Sequence, residues 1–270
     1  MANLYSAMAR LVNELDSAYD SEVVRWACPV PFFGRITEAT VATVGINPSN
    51  REFVGPDGAE LDGQCRRLPT LGSLALEDWS KADGGDIRAL THACLDYFDR
   101  NPYRHWFDVL ERMLKVGGFS YYTGRRSAHL DLVAYATGTK WGALPPSLRS
   151  RLIARGRNTL AEIIRDSPVE VLVLNGRSVV NEFVVSSQVD LSATPVPGWT
   201  LPRAAGPGVG GVRYSGTLTS LGGIEFDRPV RVVGFNHNLQ SSFGVTKSVV
   251  RQIAKEVGES VAQTHDGATR

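Results

Sequence analysis

Cysteine is scarce in this chain: Cys28, Cys65 and Cys94 are the three present, with no CxxC pair among them. An odd set of widely spaced thiols argues against a disulfide framework and for a reducing compartment, and offers no ligand set for zinc or iron–sulfur clusters. Cys28, in Trp26-Ala27-Cys28-Pro29, reads as a small residue filling a core gap. His92, His105 and His129 lack metal-ligand spacing, so no metal and no cofactor is expected. Long apolar runs are missing as well. Nothing approaches the roughly 18 residues of a membrane span, and Met1-Ala2-Asn3-Leu4 lacks the basic-then-apolar order of a signal peptide. The expected location is therefore the cytoplasm, with no membrane partner. Excess charge of either sign is absent too: 29 Lys and Arg stand against 28 Asp and Glu. Phosphate binding depends on a local cationic patch, so this balance neither demands nor excludes nucleic acid.

What is present is an ordinary globular composition, 43% hydrophobic, enough to build a sizeable core. Leu4, Met8, Leu11, Val12 and Leu15 recur at helical spacing and predict an amphipathic helix over 3–18. Ala39 to Ile46 is a nearly continuous apolar, β-rich run that stops at the turn formers Asn47-Pro48-Ser49-Asn50. Residues 51–85 are rich in Gly, Pro and Asp and read as loop. Helices are expected over 86–99 and 103–116, a short strand near 128–133, and a helix from Pro145-Pro146 to about Arg165. Val169 to Leu174 reads as a buried strand ending at Asn175-Gly176, with a helix after it. Residues 186–226 carry many Gly and Pro and are expected to form a long surface excursion with short hairpins. Val230 to Phe235 is a strand, Asn236 to Gln240 a turn, and Ser241 or Ser242 is placed to cap a last helix to about Val257, with a frayed tail from Gly258.

Four apolar strands separated by helices predict an α/β fold, a three-layer α/β/α sandwich around a four-stranded, mainly parallel sheet. One domain over 1–270 is expected, with its core at about 38–257 and insertions at about 51–85 and 186–226. Ligands in such sheets bind beyond the carboxyl ends of the strands, which directs attention to Asn47, Asp131, Asn175 and the pair Asn236-His237.

Two of these ends carry unusual clusters. Gly45-Ile46-Asn47-Pro48-Ser49 resembles the Gly-x-Asn-Pro signature of the mismatch-specific and single-strand-selective branches of the uracil-DNA glycosylase superfamily. Gly234-Phe235-Asn236-His237-Asn238-Leu239-Gln240-Ser241 resembles that superfamily's closing motif, a His-Pro-Ser or Asn-Pro-Ser followed by a Leu or Arg that wedges into DNA, although the Pro is missing here. Val171 to Gly176 is similar to the family's third strand and its Gly-containing turn. The resemblance spans about residues 38–255.

That resemblance implies a monofunctional enzyme that flips a pyrimidine-type base out of DNA and hydrolyses its N-glycosidic bond, acting as a monomer with DNA as its partner and no obligate protein partner. Departure of the base puts positive charge on the sugar and negative charge on the base, so a catalyst needs a positioned water and, opposite it, hydrogen-bond donors. By resemblance Asn47 orients the water and His237 steadies the base anion; Asn236 is the alternative, because the alignment slips by one residue. Gly45, Ile46, Pro48 and Asn175 are expected to shape the base pocket. Leu239 matches the wedge or else begins a helix as a buried Leu, and Asn238 falls in the same DNA-facing motif. Phe53 stands where the family often supplies a stacking aromatic, or else anchors the loop in the core. No lysine stands at a strand end to form a Schiff base, so lyase chemistry is not expected.

Asp131 departs from the commonest family pattern, an Asn that contacts uracil. An ionised Asp only accepts hydrogen bonds and cytosine offers an amino donor, so Asp131 points to a cytosine-type base; its other reading is a salt bridge, for instance with Arg126. Because ordinary cytosine must be refused, a hydroxymethylated or glucosylated cytosine of phage DNA is the sharper expectation, with antiviral defence as the role. His129, two residues earlier, shares the strand face of Asp131. Arg125, Arg126 and Lys140 are placed to contact phosphates, while Tyr97, Tyr103, Trp106 and Phe107 read as core, and Arg149, Arg151, Arg155 and Arg157 as a solvated helix face. Gly206 to Gly211 lacks the strand, helix and Lys-Ser/Thr end of a phosphate loop. Two further readings stay open: a repair enzyme for uracil or a derivative, and a catalytically silent module that binds DNA.

Overall fold

A mixed eight-stranded sheet organises the chain in a computed structural model that describes residues 1–17, 21–203, 206–240 and 244–267, with backbone alone at 16, 17, 125 and 263–267. Its strands are β1 (Phe32–Phe33), β2 (Val41–Gly45), β3 (Phe119–Ser120), β4 (Arg125–Asp131), β5 (Val171–Asn175), β6 (Leu191–Leu201), β7 (Val209–Leu221) and β8 (Ile224–Phe235). The order is β1-β4-β2-β5-β8-β7-β6, with β3 paired to β4. The centre, β4-β2-β5-β8, is parallel throughout, while β1, β6 and β7 join antiparallel. The expected four-stranded sheet is thus only the middle of a larger mixed one. Val41, Ala42 and Val44 on β2 and Val171 to Leu174 on β5 are fully buried, as strands covered on both faces must be.

The helices are α1 (Ala2–Ser17), α2 (Leu71–Leu74), α3 (Gly84–Leu95), α4 (Arg104–Val116), α5 (Pro146–Asp166), α6 (Arg177–Ser187) and α7 (Lys247–Gly267). The chain passes from β2 to β4 through α2, α3, α4 and β3, from β4 to β5 through α5, and from β5 to β8 through α6 and the antiparallel strands β6 and β7. Among the helices, α4 lies against α7, α5 against α6, and α1 against both α3 and α5. Pro146 opens α5, where its missing N–H costs nothing.

Three expectations need correction. Residues 186–226 are not a surface excursion: β6 and β7 form long paired strands, and only the turns around them are irregular. Pro195 and Pro197 hide β6 in the sequence, yet the strand is the sheet's outer edge, where a missing N–H is tolerated. The segment 51–85 contains short helical turns and α2, whose ends are capped by Ser49, Asp62, Thr70 and Asp78 side chains. Finally, α7 starts at Lys247, where the Thr246 hydroxyl accepts from Val249 N at 3.3 Å, and continues through Gly258 to Gly267. Ser241 and Ser242 lie outside the described residues.

Candidate functional site

At the carboxyl ends of the parallel strands lies a cavity of about 280 Å³, lined by Gly45, Ile46 and Asn47 after β2, His129 on β4, Asn175 to Val179 at the β5–α6 junction, Asn236 and Asn238 after β8, and Trp106 and Trp141. It brings together residues far apart in sequence because each terminates or adjoins a strand of one parallel sheet.

Asn47 is held by its amide nitrogen, which donates to Pro48 O at 3.2 Å, Tyr135 O at 3.3 Å and Thr137 Oγ1 at 3.2 Å. Two of these partners are carbonyls and only accept, which fixes the nitrogen on that side and the amide oxygen on the other. Among the described residues that oxygen has no partner, so it is available to accept from a water. Thr137 passes the restraint on by donating to Thr139 O at 2.8 Å. Pro48 is buried behind Asn47.

Beneath the β2 end runs a buried polar chain. The Tyr121 and Thr43 hydroxyls are 2.5 Å apart, Thr43 Oγ1 is 2.7 Å from His129 Nδ1, and His129 Nε2 is 3.3 Å from Asp131 Oδ1. Burial pushes the Asp131 carboxyl above the usual range, and the neighbouring His129 opposes that rise. Gly45 makes room for the pair: a Cβ there would stand 2.4 Å from Asp131 Oδ1 and 2.8 Å from His129 Nε2. Asp131 therefore lies just behind the cavity wall, with His129 and Gly45 in front of it. Its partner is His129; Arg126 pairs instead with Asp99 at 2.9 Å.

A second buried acid stands nearby. Glu52 is 2% exposed and accepts from the Tyr97 hydroxyl at 2.6 Å. Burial raises its carboxyl to about 7, with Tyr97 and Arg67 acting against the rise and the Asp131 charge adding to it.

The closing turn is built differently from expectation. His237 is buried, and its Nε2 lies 2.7 Å from Trp199 O. A carbonyl only accepts, so Nε2 carries the proton and donates it there. Burial lowers the imidazole below its ordinary value, which keeps it neutral. Asn236 spends both ends of its amide on β7, accepting from Val212 N at 2.9 Å and donating to Gly210 O at 2.8 Å. Asn175 likewise pins the turn, accepting from Leu239 N at 3.1 Å and donating to Gln240 Oε1. Asn238 differs. It is exposed, its oxygen accepts from Gln240 N at 3.0 Å, and its amide nitrogen has no partner among the described residues. It sits over Gly176 (φ +98°), where a Cβ would stand 3.1 Å from Asn238 Cβ. Gly176 is the N-cap of α6, so beside Asn238 the amino end of that helix enters the cavity with Arg177, Ser178 and Val179 and has no side-chain cap. The N–H groups of Gly176 and Arg177 are spent on Phe235 O and Asn236 O, both at 2.9 Å, which leaves those of Ser178 and Val179 and the positive end of the helix beside the cavity.

Other expected residues lie elsewhere. Phe53 is a core residue, 1% exposed, with its ring edge-on to Trp26 at 6.1 Å; the aromatics on the cavity wall are Trp106 and Trp141. Leu239 is buried, 5% exposed, under α4 and α7, so it does not project as a wedge. Arg125 and Arg126 begin β4, five to six residues or roughly 17–20 Å of strand from its site end; the Arg125 side chain is outside the described residues. Lys140 is exposed beside Trp141. Missed in the sequence were Trp106, Trp141, Arg177, Thr43, Tyr121 and Glu52. Arg177 carried a usable signal, since it directly follows the strand end Asn175-Gly176.

Among the described residues no group of three or more His, Cys, Asp or Glu is arranged to hold a metal, and no helix is long and apolar enough to cross a membrane. No protein-family model matches the chain, and no curated protein gives a significant match.

Proposed function

We propose that the chain is a monofunctional DNA glycosylase of the uracil-DNA glycosylase superfamily, which takes a flipped cytosine-type base bearing a C5 substituent into this cavity and hydrolyses its N-glycosidic bond. The observation that carries the reading is Asn47: its amide nitrogen is tethered at three points, and its oxygen is left at the cavity wall, as an acceptor that aligns an attacking water requires. Positioning of this kind replaces an entropic cost that the free reactants would bear. Departure of the base then places negative charge beside Asn238 and the amino end of α6, while Trp106 and Trp141 give its ring apolar walls. This arrangement moves the anion-stabilising role from His237 to donors that are unoccupied.

The volume holds on the order of nine waters, comparable with the non-hydrogen atoms of a pyrimidine base and a small substituent. Asp131, reached past Gly45, supplies an acceptor for a cytosine amino group. Ordinary cytosine fills host DNA, so productive binding has to depend on the substituent. Hydroxymethylated cytosine, as carried by some phage DNA, meets that condition within this volume, a glucosylated one meets it with its sugar outside the cavity, and either makes the biological role antiviral.

The test is incubation of the purified protein with DNA containing ordinary bases, uracil, hydroxymethylcytosine or glucosyl-hydroxymethylcytosine, followed by detection of abasic sites and mass spectrometry of released bases. Release from the modified cytosines alone is expected. Release of uracil in preference would return the chain to repair. A second reading, a silent DNA-binding module, is favoured by one observation: His237 and Asn236 are both committed to β-strand backbone. Binding without release from any of these DNAs would establish it.

A further inference from the structure

Beside the candidate site, α4 and α7 diverge around a groove of about 620 Å³. Its lining includes Val109 and Val116 from α4, Val250 and Ala254 from α7, and Leu239. Where the two helices meet, glycine faces glycine: a Cβ on Gly258 would stand 2.9 Å from Gly117 N, and one on Gly117 would stand 3.0 Å from Gly258 O. That close crossing brings the two helix backbones together, and Leu239 and Val245 complete the groove's lining.

The rim is cationic. Arg112 on α4 and Lys247 and Arg251 on α7 line the groove, all three exposed, and among the described residues no carboxylate lines it with them. Among the described residues none of the three forms an ion pair. Lys247 and Arg251 are four residues apart and so share one helix face, which Lys255, also exposed, extends by another turn. In a chain of nearly balanced charge, three unpaired cations around an apolar trough are a local feature that fits a polyanion with flat apolar faces.

The groove adjoins the cavity along α4, with no lining residue in common. Trp106, on the cavity wall, lies on the same side of α4 as Val109 and Val116, and Arg112 flanks them. The closing turn ties the two together, since Gln240 Nε2 donates to Trp106 O at 3.5 Å while Leu239 N donates to Asn175.

We propose that this groove binds a single-stranded DNA segment flanking the flipped nucleotide, with its bases on the Leu239, Val109 and Val250 floor and its phosphates on Arg112, Lys247 and Arg251. The proposal rests on the reading of the neighbouring cavity as a base pocket and adds to it the path of the strand. It also gives buried Leu239 a place in DNA contact, as floor and not as wedge.

The test is fluorescence anisotropy with short labelled single-stranded and duplex DNA across a salt series, comparing wild type with Arg112→Ala/Arg251→Ala, Lys247→Glu and Arg88→Glu. Arg88 is exposed on α3 and controls for a simple change of net charge. The double alanine variant is expected to weaken single-strand binding about tenfold and to reduce the slope of log affinity against log salt by about 1.4, from two lost contacts. Lys247→Glu should weaken binding, Arg88→Glu should match wild type, and Arg112→Lys/Arg251→Lys should restore most of the loss. All targets are exposed, and circular dichroism checks that the variants fold. Unchanged single-strand affinity in the groove variants, a loss confined to duplex, or equal weakening by Arg88→Glu overturns the proposal. If such variants bind normally while wild type still releases a base, only the strand path is wrong; if wild type binds no DNA, the base-pocket reading falls with it. A dimer broken by Val116→Glu without change in DNA binding would assign the groove to a second copy of the chain.

Discussion

Gly45 and Asp131, opposite each other in the β2–β4 register, are so close that a single added methyl on Gly45 would overlap the Asp131 carboxyl. The acid can pack against the back of the cavity wall only because position 45 has no side chain. Gly45→Ala should therefore displace Asp131 and His129 together, costing about 1–3 kcal/mol of stability as an overpacked core does. It should also lower single-turnover base release more than the stability loss explains. Full activity with unchanged Tm would show that neither side chain needs its present position.

Asn47→Asp tests the tether directly. The substitution keeps an oxygen for the water but replaces the donor by a second acceptor facing Pro48 O and Tyr135 O. Single-turnover release should fall by about 10²-fold, the scale of a misplaced positioning group, and Asn47→Ala should fall at least as far. Asn47→Asp retaining wild-type rate would remove Asn47 from the chemistry.

The sequence disclosed those features that depend on runs of residues. Val171 to Leu174 announces a buried strand by its uninterrupted apolar character and Val41 to Val44 by a run broken only at Thr43, and Asn47 and Asn175 follow because the strands stop there. It concealed features that depend on pairing at a distance. Pro195 and Pro197 look like loop until β6 proves to be an edge strand, and Glu52 looks like a solvated turn residue until Tyr97, 45 positions away, covers it. The commitments of His237 and Asn236 were illegible for the same reason, since their partners belong to β6 and β7, the strands hidden by Gly and Pro.

Glu52 should make stability depend on pH. Its folded value of about 7 lies above the ordinary 4.5, so between these values the unfolded chain sheds a proton that the folded chain keeps. Stability then falls as pH rises through that window and is level above it, by up to about 3 kcal/mol for a group this buried. Tm measured from about pH 5 to about pH 8 should decline, and Glu52→Gln should flatten the curve. An identical slope in the variant would assign the pH dependence to other groups.

Support of the turn and stabilisation of a leaving base fall on different residues, His237 and Asn238. His237 donates its only proton to Trp199 O, so His237→Ala should leave that carbonyl unsatisfied and cost about 1–3 kcal/mol of stability. Asn238 is exposed, and Asn238→Ala should shift stability by about 0.5 kcal/mol or less. If its free amide nitrogen steadies the departing base, release should nevertheless fall by about 10²–10³-fold, the loss typical of one such donor. Thermal melts and single-turnover rates on the two variants give the ranking. The reverse pattern, a stable but inactive His237→Ala and an active Asn238→Ala, would mean that the imidazole leaves Trp199 when DNA binds and turns a donor toward the base.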